Sequence, residues 1–259
     1  MLRKKSLGQH FLQSAHYVRM IADEADIKKG ECVLEVGPGE GVLTQELLGR
    51  GATVVAVEKD ARLIPVLRKT FAKEIKNKKL FVYEADALEF DMAQMLPKIK
   101  KYKVAANIPY YITGALLKKF LSGAHQPATL VFLIQKEVAE RIARSAKESI
   151  LSLSVKAYGT PIYVKTVPRG AFVPPPTVDS AILLVKDISR GTFTSAAAEK
   201  IFFELVRAGF AQKRKLLKRN LEPVLGKDAL GAMEKAGILA NARAEDVPIE
   251  QWVALTGSF

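Results

Sequence analysis

Five short apolar runs rich in β-branched residues punctuate the chain: Cys32–Val36, Thr53–Val57, Leu80–Tyr83, Val104–Ala106 and Thr129–Ile134. Helix-like stretches separate them. That alternation predicts a parallel sheet joined by crossover helices, because strands covered on both faces read as continuous apolar runs. Leu43–Leu48 reads as one such helix, closed by Gly49 and Gly51, and Asp60–Ile75 as another, which Asp60 is placed to cap and Pro65 to kink or delay. Two more apolar segments, Ile162–Val167 and Ser180–Val185, have only a proline-rich stretch between them and no helix-length insert. They predict a final antiparallel pair at the sheet edge. After Asp187 the periodicity turns helical and no strand candidate remains, which sets a domain boundary near 188: a sheet domain over 1–188 and a helical domain over 189–259.

Composition narrows the class. With 259 residues, 49% of them hydrophobic, the chain can bury a full core and carry a smaller second domain, so a disordered or fibrous protein is excluded. Forty Lys and Arg against 27 Asp and Glu leave a net charge of +13, an excess that favours polyanionic partners through counterion release. The basic start, MLRKKSLGQHFL, lacks the apolar stretch of a signal peptide, and no later run is long enough to span a bilayer. A soluble, cytoplasmic protein with no membrane partner is expected. Cys32 is the only cysteine and lies in an apolar run, so it reads as a small core residue. His16 and His125 are isolated and no His, Asp or Glu spacing suggests a metal site.

The segment Val33 to Thr44 sets a glycine-rich turn between a buried strand and a helix. Gly37, Gly39 and Gly41 let the backbone approach a ligand where a Cβ would collide. Their spacing is G-x-G-x-G, not the G-x-G-x-x-G that seats a pyrophosphate at a helix N-terminus, so a nucleoside without phosphates is the better ligand. Glu58 ends the next strand, where a carboxylate can accept hydrogen bonds from both ribose hydroxyls, a role either NAD or S-adenosylmethionine would satisfy. Asp86 ends the third strand, positioned to accept from an adenine amino group. Glycines and acceptors at successive strand ends define one crevice, where open α/β sheets bind ligands.

The fourth strand runs into Asn107-Ile-Pro-Tyr110. An adenine N6 is a poor nucleophile because its lone pair is delocalised into the ring, so a catalyst must accept its hydrogens and favour a pyramidal nitrogen. The Asn107 side-chain oxygen and the Ile108 carbonyl offer those two acceptors, Pro109 fixes the turn that aims them, and Tyr110 can stack on an extruded base. Standing alone, the segment also reads as an Asx-Pro turn with a core tyrosine.

In order along the chain, Lys5 to Leu12 (KSLGQHFL), Glu35 to Gly41 (EVGPGEG), Val57-Glu58, Asp86 to Leu88, Asn107 to Tyr110, Phe172 to Ser180 (FVPPPTVDS) and Gln212 to Lys215 (QKRK) closely resemble the small-subunit ribosomal RNA adenine dimethyltransferase family. The resemblance implies a class I, Rossmann-like methyltransferase fold with a seven-stranded, mostly parallel sheet and a small all-helical C-terminal domain that positions rRNA. It implies transfer of four methyl groups from S-adenosylmethionine to two adjacent adenines in the 3′-terminal hairpin of 16S rRNA, within an immature small ribosomal subunit, by a monomeric enzyme. Cofactor contacts are implied at His10, Leu12, Gly37, Glu58, Asp86 and Asn107, and Glu35, Gly39, Gly41 and Ala87 of the same motifs are taken with them. Position 10 is often Asn in the family and is His here, and Glu148-Ser-Ile-Leu151 stands where the family often has Tyr-Gly.

Phe172 sits in a loop stiffened by Pro174, Pro175 and Pro176. Composition alone makes its ring a core plug; the resemblance makes it a second wall for the target base. Six basic residues with no acid among them, Arg207, Lys213, Arg214, Lys215, Lys218 and Arg219, form a candidate phosphate track, while Leu216, Leu217 and Leu221 are expected to pack inward. Lys4 and Lys5 are candidates for the RNA backbone near the site. The competing readings are a large-subunit rRNA adenine methyltransferase of the antibiotic-resistance type, a DNA adenine methyltransferase, a dinucleotide oxidoreductase, and a ribosome-assembly factor whose catalysis is secondary.

Overall fold

In the computed structural model, residues 10–95 and 99–257 are described. Seven strands form one sheet: β2 (Cys32–Val36), β3 (Thr53–Glu58), β4 (Leu80–Glu84), β5 (Lys103–Asn107), β6 (Thr129–Gln135), β7 (Thr160–Val167) and β9 (Ser180–Lys186), ordered β4-β3-β2-β5-β6-β9-β7. A two-residue strand β1 (Phe11–Leu12) pairs antiparallel with β8 (Phe172–Val173) in a separate ribbon. The five expected parallel strands appear within a residue of their predicted ends, and β2, β3, β4, β5 and β6 pair in parallel. The last two apolar segments become β7 and β9, with β9 antiparallel to β6 and inserted between it and the edge strand β7.

Alternation along the strands distributes side chains to the two faces. Val33, Val54, Ala105 and Val131 join Val18 and Ile21 of α1 (Ala15–Glu24) and Leu47 of α2 (Val42–Gly49) in one cluster. Elsewhere, Phe120 of α6 (Thr113–Ser122) meets Phe132 of β6 edge-on. The chain turns from β2 into α2 through Gly41, whose φ of 88° lies in the left-handed region that only glycine adopts freely.

The helix expected over 60–75 is two short ones, α3 (Ile64–Thr70) and α4 (Ala72–Lys76), broken at Phe71. Asp60 does not cap it: Leu63 is the cap residue, and the Asp60 carboxyl turns to the Arg62 amide and guanidinium. Pro65 falls in the first turn, where its missing N–H costs nothing, so it delays the helix and does not kink it.

The structure divides into two compact units. The first comprises 1–139 and 161–188; the second comprises 140–160 and 189–259. The second unit is therefore discontinuous, where the sequence had suggested an unbroken stretch from 189. The reason is local: α8 (Ile150–Lys156) and the turn after it pack with α9 (Ala196–Gly209). Tyr158 stacks on Phe203, donates its hydroxyl to Glu199 at 2.5 Å, and accepts Ser189 N–H at its carbonyl at 2.8 Å. The segment Glu148 to Leu151 starts α8 with a serine capping box, Ser149 and Ser152 exchanging side-chain and backbone bonds.

Candidate active site

A cleft at the carboxyl ends of β2, β3, β4 and β5 takes its walls from His10, Gly37, Glu58, Asp86, Asn107 and Tyr110, among others. The strand-end residues picked out in the sequence therefore do converge. Gly37 donates its N–H to the Val57 carbonyl at 2.9 Å, tying the glycine turn to the next strand. A Cβ added there would meet nothing closer than the Asn107 carbonyl at 3.9 Å, although φ of 65° still favours glycine. The other two glycines also make room within the protein, and Gly39 lies on the cleft wall besides. A Cβ on Gly39 would come within 2.9 Å of the Phe11 ring, and one on Gly41 within 2.5 Å of the Phe71 ring. They give room to protein side chains, and Gly41 is not part of the cleft wall.

Glu58 is 6% exposed. Its Oε2 accepts the Gly39 N–H at 3.1 Å and its Oε1 the Asp60 N–H at 2.8 Å. Burial pushes its carboxyl above the ordinary range, with the backbone bonds opposing. Asp86 is held low, chiefly by its bond to Lys59, whose Nζ lies 2.7 Å from Oδ2, while Oδ1 accepts the Leu88 N–H at 2.8 Å. Lys59 thus neutralises the carboxylate at the rim, a partner the sequence did not single out even though it directly follows Glu58.

Asn107 ends β5 and donates its Nδ2 to the His10 carbonyl at 3.0 Å. That bond fixes the amide's rotation and leaves the side-chain oxygen without a hydrogen bond among the described residues. The His10 ring lies nearly parallel to Tyr110, at 23° with centroids 6.1 Å apart, and its Nδ1 is 2.9 Å from the Pro174 carbonyl. Pro109 stands before a 3-10 turn over Tyr110–Ile112 in extended backbone, φ −59° and ψ 134°. Tyr110 shares a hydrogen bond with Ser180 at 2.7 Å, and burial raises its hydroxyl's pKa. Tyr111, two-thirds exposed, adds a second ring at the rim that the sequence did not single out.

A second hollow adjoins the cleft and shares Phe11, Gly37, Gly39 and Asn107 with it; Leu12 and Glu35 lie on its wall. Glu35 is 1% exposed, its Oε2 accepting the Thr44 hydroxyl at 2.6 Å.

The ribosomal RNA adenine dimethylase family model matches residues 2–259. This chain belongs to the ribosomal RNA adenine dimethylase family. It is 42% identical over 256 residues to the ribosomal RNA small subunit methyltransferase A of Dehalococcoides mccartyi, covering 97% of this chain and 87% of that protein. Among solved structures it is similar to a dimethyladenosine transferase from Plasmodium falciparum, with a TM-score of 0.81 and 28% identity over 95% of this chain and 96% of that one. It is also similar to the 23S rRNA methyltransferase ErmE, with a TM-score of 0.78 and 27% identity over 95% of this chain and 98% of that one. Membership makes this chain an rRNA adenine dimethyltransferase with the Rossmann-like fold that the resemblance implied, and its methyl donor is S-adenosylmethionine.

Other predicted positions of this dimethylase fall as follows. Ile108 and Ala87 lie on the cleft wall. Phe172 does not: its ring is 2% exposed within the hydrophobic cluster, paired through β8 with Leu12. The expected second wall for a base is corrected to a core plug, because β8 turns Phe172 inward and leaves Val173 exposed. In the second unit, Lys213, Arg214 and Lys215 are exposed, as are Arg207 and Arg219, and Lys218 is half-buried; none of the six has an ion pair among the described residues. Leu217 and Leu221 are fully buried in α10 (Leu217–Leu225), as expected, whereas Leu216 is 40% exposed because it precedes the helix. Lys4 and Lys5 lie outside the described residues. Among the described residues no cluster of potential metal ligands occurs, and no helix is long and apolar enough to cross a membrane.

Proposed function

We propose that this dimethylase acts on two adjacent adenines in the 3′-terminal hairpin of small-subunit (16S) rRNA, as a cytoplasmic monomer working on an immature small ribosomal subunit. The observation that supports the chemistry is that Asn107 lines the same cleft as Glu58 and Asp86 while its Nδ2 is taken up by the His10 carbonyl, which leaves the amide oxygen available as an acceptor. The subunit assignment rests on the name of the Dehalococcoides relative and on the Phe172–Ser180 and Gln212–Lys215 motifs.

The cleft fits the methyl donor. Each Glu58 oxygen accepts a backbone N–H and retains a lone pair for a ribose hydroxyl, Asp86 keeps acceptor capacity beside Lys59, and Ala85, Ala87 and Ile108 supply apolar wall for a purine. S-adenosylmethionine supplies an electrophilic methyl group when bound. On the acceptor side, the Asn107 Oδ1 and the Ile108 carbonyl take the two N6 hydrogens, drawing the nitrogen lone pair out of conjugation. Pro109 holds those acceptors at a fixed angle, and stacking on Tyr110 holds the base, worth about 1–3 kcal/mol where such stacking has been measured. Orientation then accounts for the largest part of the rate. Arg207, Lys213, Arg214, Lys215, Lys218 and Arg219 meet rRNA phosphates, with Lys4 and Lys5 near the site.

The test is methylation of immature small subunits with labelled donor, followed by nucleotide mapping. Label on two neighbouring adenines of the terminal hairpin is expected. Label confined to large-subunit rRNA would overturn this reading in favour of the 23S rRNA activity for which ErmE is named, since the ErmE backbone superposes almost as well.

A further inference from the structure

Tyr111 is 66% exposed and is the only aromatic residue among the exposed large hydrophobic side chains. Among the described residues its ring pairs with no other aromatic ring and its hydroxyl has no hydrogen bond. The fold makes no visible use of a tyrosine at this position, yet the residue stands on the rim of the cleft. An aromatic body with a polar tip, left in the open beside a binding site, is suited to contact with a partner.

Tyr111 follows Tyr110 in the 3-10 turn Tyr110–Ile112, and both line the cleft. With three residues per turn, neighbouring side chains in such a turn diverge by about 120°, so the two rings do not lie on one base. They are also held differently: Tyr110 is half-buried and bonded to Ser180, whereas Tyr111 is unbonded and open to solvent. Two diverging rings on one rim suit two consecutive nucleotides. Extruding a base also leaves its neighbour without a stacking partner, and an exposed ring at the mouth of the cleft replaces what was lost.

We propose that Tyr111 is a second base-binding position, the shelf on which the nucleotide flanking the target adenine stacks while Tyr110 holds the extruded one. The inference deepens the substrate reading given above and rests on it. The contact is made through a ring face and not through charge. Lys59 is the only lysine or arginine on the cleft wall, and its ammonium is paired with Asp86. Every base presents a π-face, so the shelf adds grip without reading sequence. The donor's purine is the competing occupant, but its apolar wall of Ala85, Ala87 and Ile108 is in place without Tyr111.

The test is single-turnover methylation of immature small subunits over a range of enzyme concentrations, with calorimetry of S-adenosylhomocysteine binding alongside. For Tyr111→Ala the half-saturating enzyme concentration is expected to rise roughly 5- to 150-fold, the range that loss of one base–aromatic stack produces. The rate at saturation and the affinity for S-adenosylhomocysteine are expected to stay within about twofold, because the grip on RNA is shared by ground and transition states. Tyr111→Phe is expected to match wild type and Tyr111→Trp to bind at least as tightly, since the ring and not the hydroxyl makes the contact. The log–log salt slope of half-saturation is expected to be the same for wild type and Tyr111→Ala, as no phosphate contact is removed.

An unchanged half-saturation in Tyr111→Ala, a Tyr111→Phe protein as weak as Tyr111→Ala, or a shallower salt slope would each overturn the proposal while leaving the substrate reading standing. Loss of S-adenosylhomocysteine affinity in Tyr111→Ala would overturn it in favour of a ring that covers the donor's purine. Wild-type protein that fails to label the hairpin adenines would overturn the substrate reading itself and this inference with it.

Discussion

At the scale of single residues, the proposed roles divide holding the donor from activating the amine, and substitutions should separate them. Glu58→Ala removes a buried acceptor, and loss of one charge-assisted hydrogen bond, about 1.5–3 kcal/mol, should weaken S-adenosylhomocysteine binding roughly 10- to 100-fold by calorimetry. Asn107→Ala should leave that binding measurable and slow single-turnover methylation by about 10²–10³, as expected when one preorganised group aimed at the reacting atoms is removed. Near-normal turnover by the Asn107 variant would end the role assigned to it. Glu35 also governs stability in the empty protein. Its carboxyl is raised by folding, so the stabilisation it gives is complete at pH values below the unfolded range and is lost as pH climbs toward about 8. A thermal melt series should therefore show wild type falling relative to Glu35→Gln across that window. Much of this site was legible in advance, because Glu58 and Asn107 end strands that the apolar pattern located and Asp86 follows the end of a third by two residues. Phe172 was not. Its burial depends on pairing with Leu12, far away in sequence, and a proline-rich loop says nothing about which way its ring turns.

At the scale of elements, strands with three or more consecutive apolar residues announced themselves, whereas β1 and β8 have two residues each and form only by meeting one another. The break at Phe71 was equally hidden, since no residue after Pro65 in this stretch signals a stop and the interruption coincides with Phe71's ring filling the space left by Gly41. Gly209 shows propensity and packing in direct conflict. In the last turn of α9 an alanine would be favoured locally by about 1 kcal/mol, but its Cβ would lie 2.4 Å from the Trp252 ring and 2.8 Å from Leu217, both fully buried. Overpacking should win, and Gly209→Ala is expected to lower stability by about 1–3 kcal/mol in urea titration. A neutral or stabilising outcome would mean that Trp252 has room to shift.

At the scale of the whole molecule, the charge of +13 governs how firmly rRNA is held and how salt loosens it. Replacing Lys213, Arg214 and Lys215 with alanine should lower the salt dependence of rRNA affinity by about one unit of log–log slope for each phosphate that is no longer neutralised, with little effect on donor binding. Chain connectivity has its own consequence. Because α8 and Tyr158 belong with α9, the polypeptide leaves the sheet-bearing unit, contributes a piece to the helical one, returns for β7 and β9, and departs again. A stop codon after residue 188 would not yield a clean half-enzyme. It would strand the aromatic face of Tyr158 and the Glu148 amide without Phe203, Glu199 and the Glu245 carbonyl that complete them. Such a fragment should collect in inclusion bodies, and anyone wishing to isolate the sheet would have to excise the 140–160 excursion and splice the ends.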